Sequence, residues 1–254
     1  MKCLTISRGE DGFGSQLFSI ISGLAYCDKH KIPYKHSPIQ NIKLLSSKNF
    51  LNEDLIRSNE FVFSIINNID ISKTEDLDCT VKPFCHDLIY NEGSENYFTE
   101  NFLEKIKSSH TFNFGGDQTR TISIHIRRGE DIFEEDKPYR WIESETYQKL
   151  IEFILEKESD CKIKIFSWGE SGIQLSDPRI EYYTSDSGGK FMGDFIKMVT
   201  SDILIVGSST FSISAGFLNK NMVLSHTKLM KLNNTPIPRI WENNFNTYFN
   251  GIDI

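Results

Sequence analysis

Three short segments of this 254-residue chain carry side chains suited to holding an oxyanion. In HIRRGED, from His125 to Asp131, two guanidinium groups stand next to each other, Arg127 and Arg128. Guanidinium offers paired donors that match phosphate and stays charged at any working pH. In SSTFS, Ser208 to Ser212, hydroxyls stand where a helix begins, and free helix-start amides favour anions. In RGEDGFGS, Gly9, Gly12 and Gly14 let backbone approach a ligand closely. An acidic stretch, Glu130, Asp131, Glu134, Glu135 and Asp136, supplies carboxylates that could take a proton from a hydroxyl. Asp76 and Asp78 form a three-residue metal-type pattern with no strand end beside it. It reads as solvated charge, and no metal site is expected.

The elements that must position these residues alternate in type. Lys2 to Ser7 is an apolar strand, the glycine segment follows, and Gln16 to about Lys31 has helical spacing, with Leu17, Ile20, Ile21, Leu24 and Ala25 on one face. The next hundred residues are irregular mixtures of strand and helix signals. From Thr121 the alternation returns: strand Thr121 to Ile126, helix Ser144 to Lys157, strand Lys162 to Phe166, a short strand at RIEYY, helix Phe191 to Thr200, strand DILIV and the SSTFS turn. Apolar strands alternating with helices predict a parallel sheet covered on both faces. In such sheets ligands gather beyond the carboxyl ends of the strands, where the three segments fall. The glycines spell GxxGxG rather than GxGxxG, and Lys35 and His36 stand where a dinucleotide fold needs an acid, which lowers a nicotinamide reading.

Composition narrows the function classes. Hydrophobic residues are 39% and charged residues 25%, the usage of a folded globular chain. With 28 Lys and Arg against 35 Asp and Glu the net charge is −7, so diffuse binding to nucleic acid or an anionic membrane is not expected. No apolar run approaches the length needed to span a bilayer, and no leader pattern opens the sequence. The five cysteines, Cys3, Cys27, Cys79, Cys85 and Cys161, form no CxxC. Cys79 and Cys85 are close enough in sequence to bridge in an oxidising compartment, but isolated reduced cysteines are the simpler reading, which predicts a reducing, cytoplasmic setting. A boundary near Gly115 to Gln118 divides the chain into 1–115 and 116–254.

Taken in order, the segments resemble the GDP-fucose-dependent fucosyltransferases of the α1,2, α1,6 and protein-O types. GEDGFGSQLFSIISGLA is similar to the N-terminal GGxGNQxFxxxxGxA of that superfamily, with Ser15 where Asn is usual. HIRRGE is similar to its H-V-R-R-G/T-D signature, with Glu130 for Asp. DFIKMVTSDILIVGSSTFS is similar to its late segment, where an acid precedes the strand-opening Asp by eight residues and a serine-rich turn follows. The resemblance implies an α/β, GT-B-like architecture of two Rossmann-like domains with a cleft between them. The N-terminal domain would be the acceptor side, and the C-terminal one would hold the GDP-sugar and end in a tail. It implies an inverting glycosyltransferase that moves L-fucose from GDP-fucose to a glycan hydroxyl, without metal or cofactor. In that scheme Arg128 faces the β-phosphate and is catalytic, while Arg127 supports the loop or also touches the donor. His125 and Asp194 lie near guanosine, and Ser209, Thr210, Phe211 and Ser212 hold the diphosphate. Gly12 and Gly14 approach the nucleotide sugar, and Glu135 falls at the position of the base proposed for the α1,6 type. Two other readings are a transferase for a different GDP-sugar and an inactive GDP-sugar- or carbohydrate-binding protein of the same fold.

Overall fold

The computed structural model describes residues 2–6, 11–42, 52–76, 78–82, 89, 92–112, 119–128, 141–184, 191–229 and 237–254. The chain divides into two compact units, Met1–Thr111 with Asn234–Pro238 and Phe112–Asn233 with Arg239–Ile254. Each is built on its own parallel sheet.

The first unit has three strands, β1 (Leu4–Ile6), β2 (Tyr34–Lys35) and β3 (Thr80–Lys82), in the order β2-β1-β3. Helix α1 (Phe13–His30) joins β1 to β2 and buries the predicted face of Leu17, Ile20, Ile21, Leu24 and Ala25. Lys29 and His30 in its last turn suit the negative end of the helix dipole. Lys31 ends the helix in the left-handed region, just before Ile32 and Pro33. The irregular middle of the sequence contains α2 (Asn52–Asn68), which buries Phe61, Val62, Ile65 and Ile66, and α3 (Glu100–Ser108). The Thr99 side chain caps α3 by accepting from the Phe102 amide at 3.3 Å.

Two expectations are corrected in this unit. Gly14 was expected in a loop before the helix, but α1 starts at Phe13, and Gly12 O already accepts from the Gln16 amide at 3.1 Å. Phe13 is buried and packs edge-on to Phe61 at 6.4 Å, which anchors the first turn and draws Gly14 into the helix. The cysteines were read as reduced, but Cys3 and Cys79 form a disulfide across 76 residues of sequence. The parallel register sets Leu4 opposite Thr80, so the residues one step earlier face each other with Cα atoms 4.7 Å apart. Strand pairing created that proximity. Cys27 and Cys161 are free and buried, and Cys85 lies outside the described residues.

The second unit contains β4 (Arg120–Ile126), α4 (Ser144–Lys157), β5 (Cys161–Ser167), β6 (Ile180–Thr184), α5 (Phe191–Thr200), β7 (Ile203–Ile205), α6 (Thr210–Leu218), β8 (Met222–Leu224) and α7 (Arg239–Tyr248). All five strands run parallel in the order β6-β5-β4-β7-β8. The chain therefore grows outward from β4 in one direction, then crosses back to add β7 and β8 on the other side. Buried Ile122, Ile124, Ile163, Ile165, Ile203 and Ile205 line the strands, and Leu150, Ile151 and Ile154 of α4 cover one face. The expected C-terminal tail is helix α7, with Trp241, Phe245 and Phe249 buried. Gly216 of α6 lets Trp241 approach: a Cβ there would lie 2.7 Å from the indole Cη2.

Candidate functional site

The strand order reverses between β4 and β7. At such a switch point the connections leave in opposite directions and open a crevice beyond the carboxyl ends of the two strands. The residues that follow β4 and β7 are the HIRR and GSSTFS segments, so the sheet topology brings together two of the three segments singled out by chemistry.

Gly207 makes their approach possible. A Cβ at this position would lie 2.3 Å from the carbonyl oxygen of His125 and 3.3 Å from its ring Nδ1, so only glycine lets the turn after β7 lie against the end of β4. The His125 ring is buried and 6.0 Å from the Phe211 ring. Burial, and then the charge of Arg127, hold the imidazole near a pKa of about 3, so it is neutral in the folded protein at ordinary pH. Its Nδ1 makes no hydrogen bond within the structure. His125 and Arg127 are two residues apart in an extended segment and share a side, consistent with the electrostatic influence of Arg127 on the ring.

The turn itself is built from its hydroxyls. Ser209 caps α6, its Oγ accepting from the Phe211 amide at 3.3 Å. Ser212 Oγ accepts from the Gly207 amide at 3.2 Å and reaches Ser209 O at 3.2 Å, and the side chain is fully buried. Both serines therefore shape the helix start. Thr210, the first residue of α6, and Phe211 are half-buried. The amides of a first helical turn have no partner within their own helix, which makes this end electropositive.

Arg128 turns inward. It is 5% exposed, and its guanidinium donates from Nε to Ser171 O at 3.2 Å, from Nη1 to Arg127 O at 2.9 Å and from Nη2 to Ser144 Oγ at 3.0 Å. The guanidinium carbon lies 4.2 Å from the Trp141 ring centroid and 5.9 Å from that of Tyr147. Burial lowers its proton affinity from the usual arginine value, countered by Tyr147 and Glu143. This side chain ties the end of β4 to the start of α4 and to the loop after β5. Arg127 is less buried.

The guanosine-side expectation centred on Asp194 of α5. Its carboxylate pairs with Lys197 at 3.4 Å, and Lys197 Nζ sits 4.4 Å from the Tyr183 ring centroid. Tyr183 stacks on Phe166 at 4.9 Å and 15°. His125, Phe166 and Tyr183 are register partners on β4, β5 and β6, so they stand in one row across the sheet. Phe195 meets Phe211 edge-on at 5.2 Å and links α5 to the α6 start. Sequence reading missed this row, because strand register is not visible in a linear chain; the signal was an aromatic near the end of each strand.

Gly12 and Gly14 lie in the first unit, at the start of α1. Glu130, Asp131, Glu134, Glu135 and Asp136 lie outside the described residues. Among the described residues no group of three or more His, Cys, Asp or Glu side chains is placed to hold a metal ion. No described helix is long and apolar enough to cross a membrane.

No family model and no curated protein matches the chain. Several solved structures are similar to it. NodZ alpha-1,6-fucosyltransferase soaked with GDP-fucose is 14% identical with a TM-score of 0.43 over 89% of this chain and 95% of that one, and NodZ was also solved as the fucosyltransferase from Bradyrhizobium. A mutant of Arabidopsis thaliana FUT1 in complex with GDP is 10% identical, with a TM-score of 0.44 over 88% of this chain and 70% of that one. S. aureus MnaA in a co-structure with UDP is 11% identical, with a TM-score of 0.35 over 96% of this chain and 64% of that one.

Proposed function

We propose that the chain is an inverting glycosyltransferase that moves L-fucose from GDP-fucose to a glycan hydroxyl. The observation that carries the reading is the switch point of the second unit, where a neutral buried His125, the guanidinium of Arg127 and the electropositive start of α6 are held together by the contact between Gly207 and β4. That combination suits a nucleoside diphosphate: fixed positive charge and amides for the diphosphate, apolar and aromatic surface for the base. The ordered motifs supply the identity of guanine and fucose.

The arrangement assigns the two arginines different work. Arg128 has committed its donors to Ser171, Arg127 O and Ser144, so it orients the end of β4. Arg127 then stabilises the charge that develops on the β-phosphate as the bond to the sugar anomeric carbon breaks. The acceptor oxygen forms the new bond to that carbon from the opposite face. GDP leaves with the bonding electron pair, and the acceptor proton passes to a carboxylate, assigned by the motif match to Glu135. Asp194 accepts from the guanine N–H groups in place of Lys197, and Thr210 and the α6 amides receive the diphosphate. The N-terminal half serves the acceptor, with Gly12 near the donor sugar. No metal or further cofactor enters the scheme.

The test is GDP release from a panel of GDP-sugars, with and without glycan acceptors, in the presence of EDTA. Release from GDP-fucose that depends on an acceptor and survives EDTA is expected. Release from a different GDP-hexose would move the donor assignment. Turnover that vanishes in EDTA and returns with manganese would overturn the metal-free scheme, and binding of GDP without turnover on any donor would favour the binding-protein reading.

A further inference from the structure

The Cys3–Cys79 disulfide joins strands of very unequal security. Strand β2 is held on both sides: the Leu4 amide donates to Pro33 O at 3.0 Å, the Tyr34 amide donates to Ser72 O at 2.9 Å, Tyr34 bridges to Lys73, and the Tyr34 side chain is buried. Strand β3 is an edge. It pairs only with β1, over three residues, and buries no side chain: Thr80 is exposed, Val81 is 56% exposed and Lys82 is half-buried. Short ladders without apolar burial open easily. Apart from that ladder, the described attachments of β3 to β1 are the disulfide, the amide of Thr80 on Cys3 O at 3.0 Å, and a solvent-exposed pair of Lys2 with Asp78 at 3.6 Å. Exposed pairs of that kind contribute little.

The two sulfurs also differ in access. Cys3 is 1% exposed, whereas Cys79 is half-buried. Each has a carbonyl within reach, Asp78 O at 3.5 Å from Cys3 Sγ and Asp76 O at 3.4 Å from Cys79 Sγ. After reduction both thiols therefore have acceptors in place, and neither is stranded as a buried unpaired donor.

We propose that Cys3–Cys79 is a reversible redox latch on the edge of the first sheet: reduction by a dithiol, entering at Cys79, frees β3 from β1 while α1, β1 and β2 stay folded. A thiolate of the dithiol attacks Cys79 Sγ and forms a mixed disulfide. The Cys3–Cys79 bond breaks, and Cys3 leaves as a thiolate that takes a proton. The second thiol of the dithiol then displaces Cys79, which is protonated in turn, and the dithiol departs as its cyclic disulfide. Two electrons and two protons have moved to the protein. Because β1 leads toward Gly12 and α1, the state of the latch bears on the glycine segment through a single strand.

The experiment is hydrogen exchange read by mass spectrometry on the full chain, purified without reductant, before and after dithiothreitol, with cysteine peptide mapping on the same samples. The expected result is a Cys3–Cys79 linked peptide before treatment. After treatment, exchange at residues 79–82 should be about tenfold or more faster, protection of α1 and of Tyr34 retained, and the original pattern restored by an oxidised dithiol. Cys79→Ser should show the reduced pattern with or without dithiothreitol; should it fail to fold, the treated wild-type protein still decides the matter. Free thiols at both positions before treatment, unchanged exchange at 79–82 after confirmed reduction, or loss of protection throughout α1 would each overturn the latch. None of these readouts depends on nucleotide binding or transfer.

Discussion

Gly207 lies so close to His125 that a single added carbon would sit 2.3 Å from the histidine carbonyl oxygen. This contact joins the turn after β7 to the end of β4 and fixes the start of α6 beside the imidazole. Gly207→Ala is therefore expected to lower stability by about 1–3 kcal/mol, the usual cost of overpacking. It should also reduce GDP affinity in calorimetry at temperatures where the variant is fully folded. A variant with wild-type stability would show that the turn has room to move.

The two arginines should separate cleanly. Arg128→Lys removes the forked donors to Ser171 and Ser144 and weakens the contact with Trp141, so denaturant unfolding should show a loss of about 1–3 kcal/mol. Arg127→Lys should leave unfolding nearly unchanged and lower GDP affinity by roughly tenfold or more, because a point charge replaces a bidentate donor. The opposite pattern would return the phosphate contact to Arg128.

His125 gives the stability a direction in pH. Its folded pKa, about 3, lies below the ordinary histidine value of 6.5, so between those limits the unfolded chain binds the extra proton. The contribution is full above about pH 6.5, shrinks as the pH falls and is gone below about 3. Carboxylates titrate in part of that window, so the measurement is the difference between wild type and His125→Gln in urea midpoints from pH 7.5 to 4.5. The wild type should lose more stability on acidification, by up to a few kcal/mol. Parallel curves would mean that the ring is solvated.

Asp194→Asn should reduce the preference for GDP over inosine diphosphate, since a carboxylate accepts from both guanine N–H groups and an amide does so only once. The same change removes the partner of Lys197, so Lys197→Met is the control. An equal effect in both variants would make the ion pair, rather than contact with the base, responsible.

Asn219 is fully buried, and its Nδ2 donates to Met198 O at 3.0 Å and to Ser201 O at 2.9 Å, tying the end of α5 to the approach to β7. Asn219→Ala should cost about 2–4 kcal/mol in urea unfolding, because two buried carbonyls lose a donor at once. A loss well below 1 kcal/mol would mean that water takes the place of the amide.

Several features follow from the sequence directly. The β-branched runs at Ile122 to Ile126, Ile163 to Ile165 and Ile203 to Ile205 form strands, and the spacing of Leu17, Ile20, Ile21 and Leu24 forms a helix, because side-chain periodicity and burial are local properties of the chain. The chemical character of HIRR and SSTFS is also local. Their meeting is not: it depends on the strand order β6-β5-β4-β7-β8, which puts residues about eighty apart in sequence side by side. Which arginine turns inward was decided by Trp141, Ser144 and Ser171, groups that arrive from α4 and the loop after β5. Gly14 entered α1 because Phe13 found Phe61, and Cys3 found Cys79 because a parallel ladder aligned them. The sequence determined which residues were able to hold an anion, and packing between distant segments decided which of them face the same space.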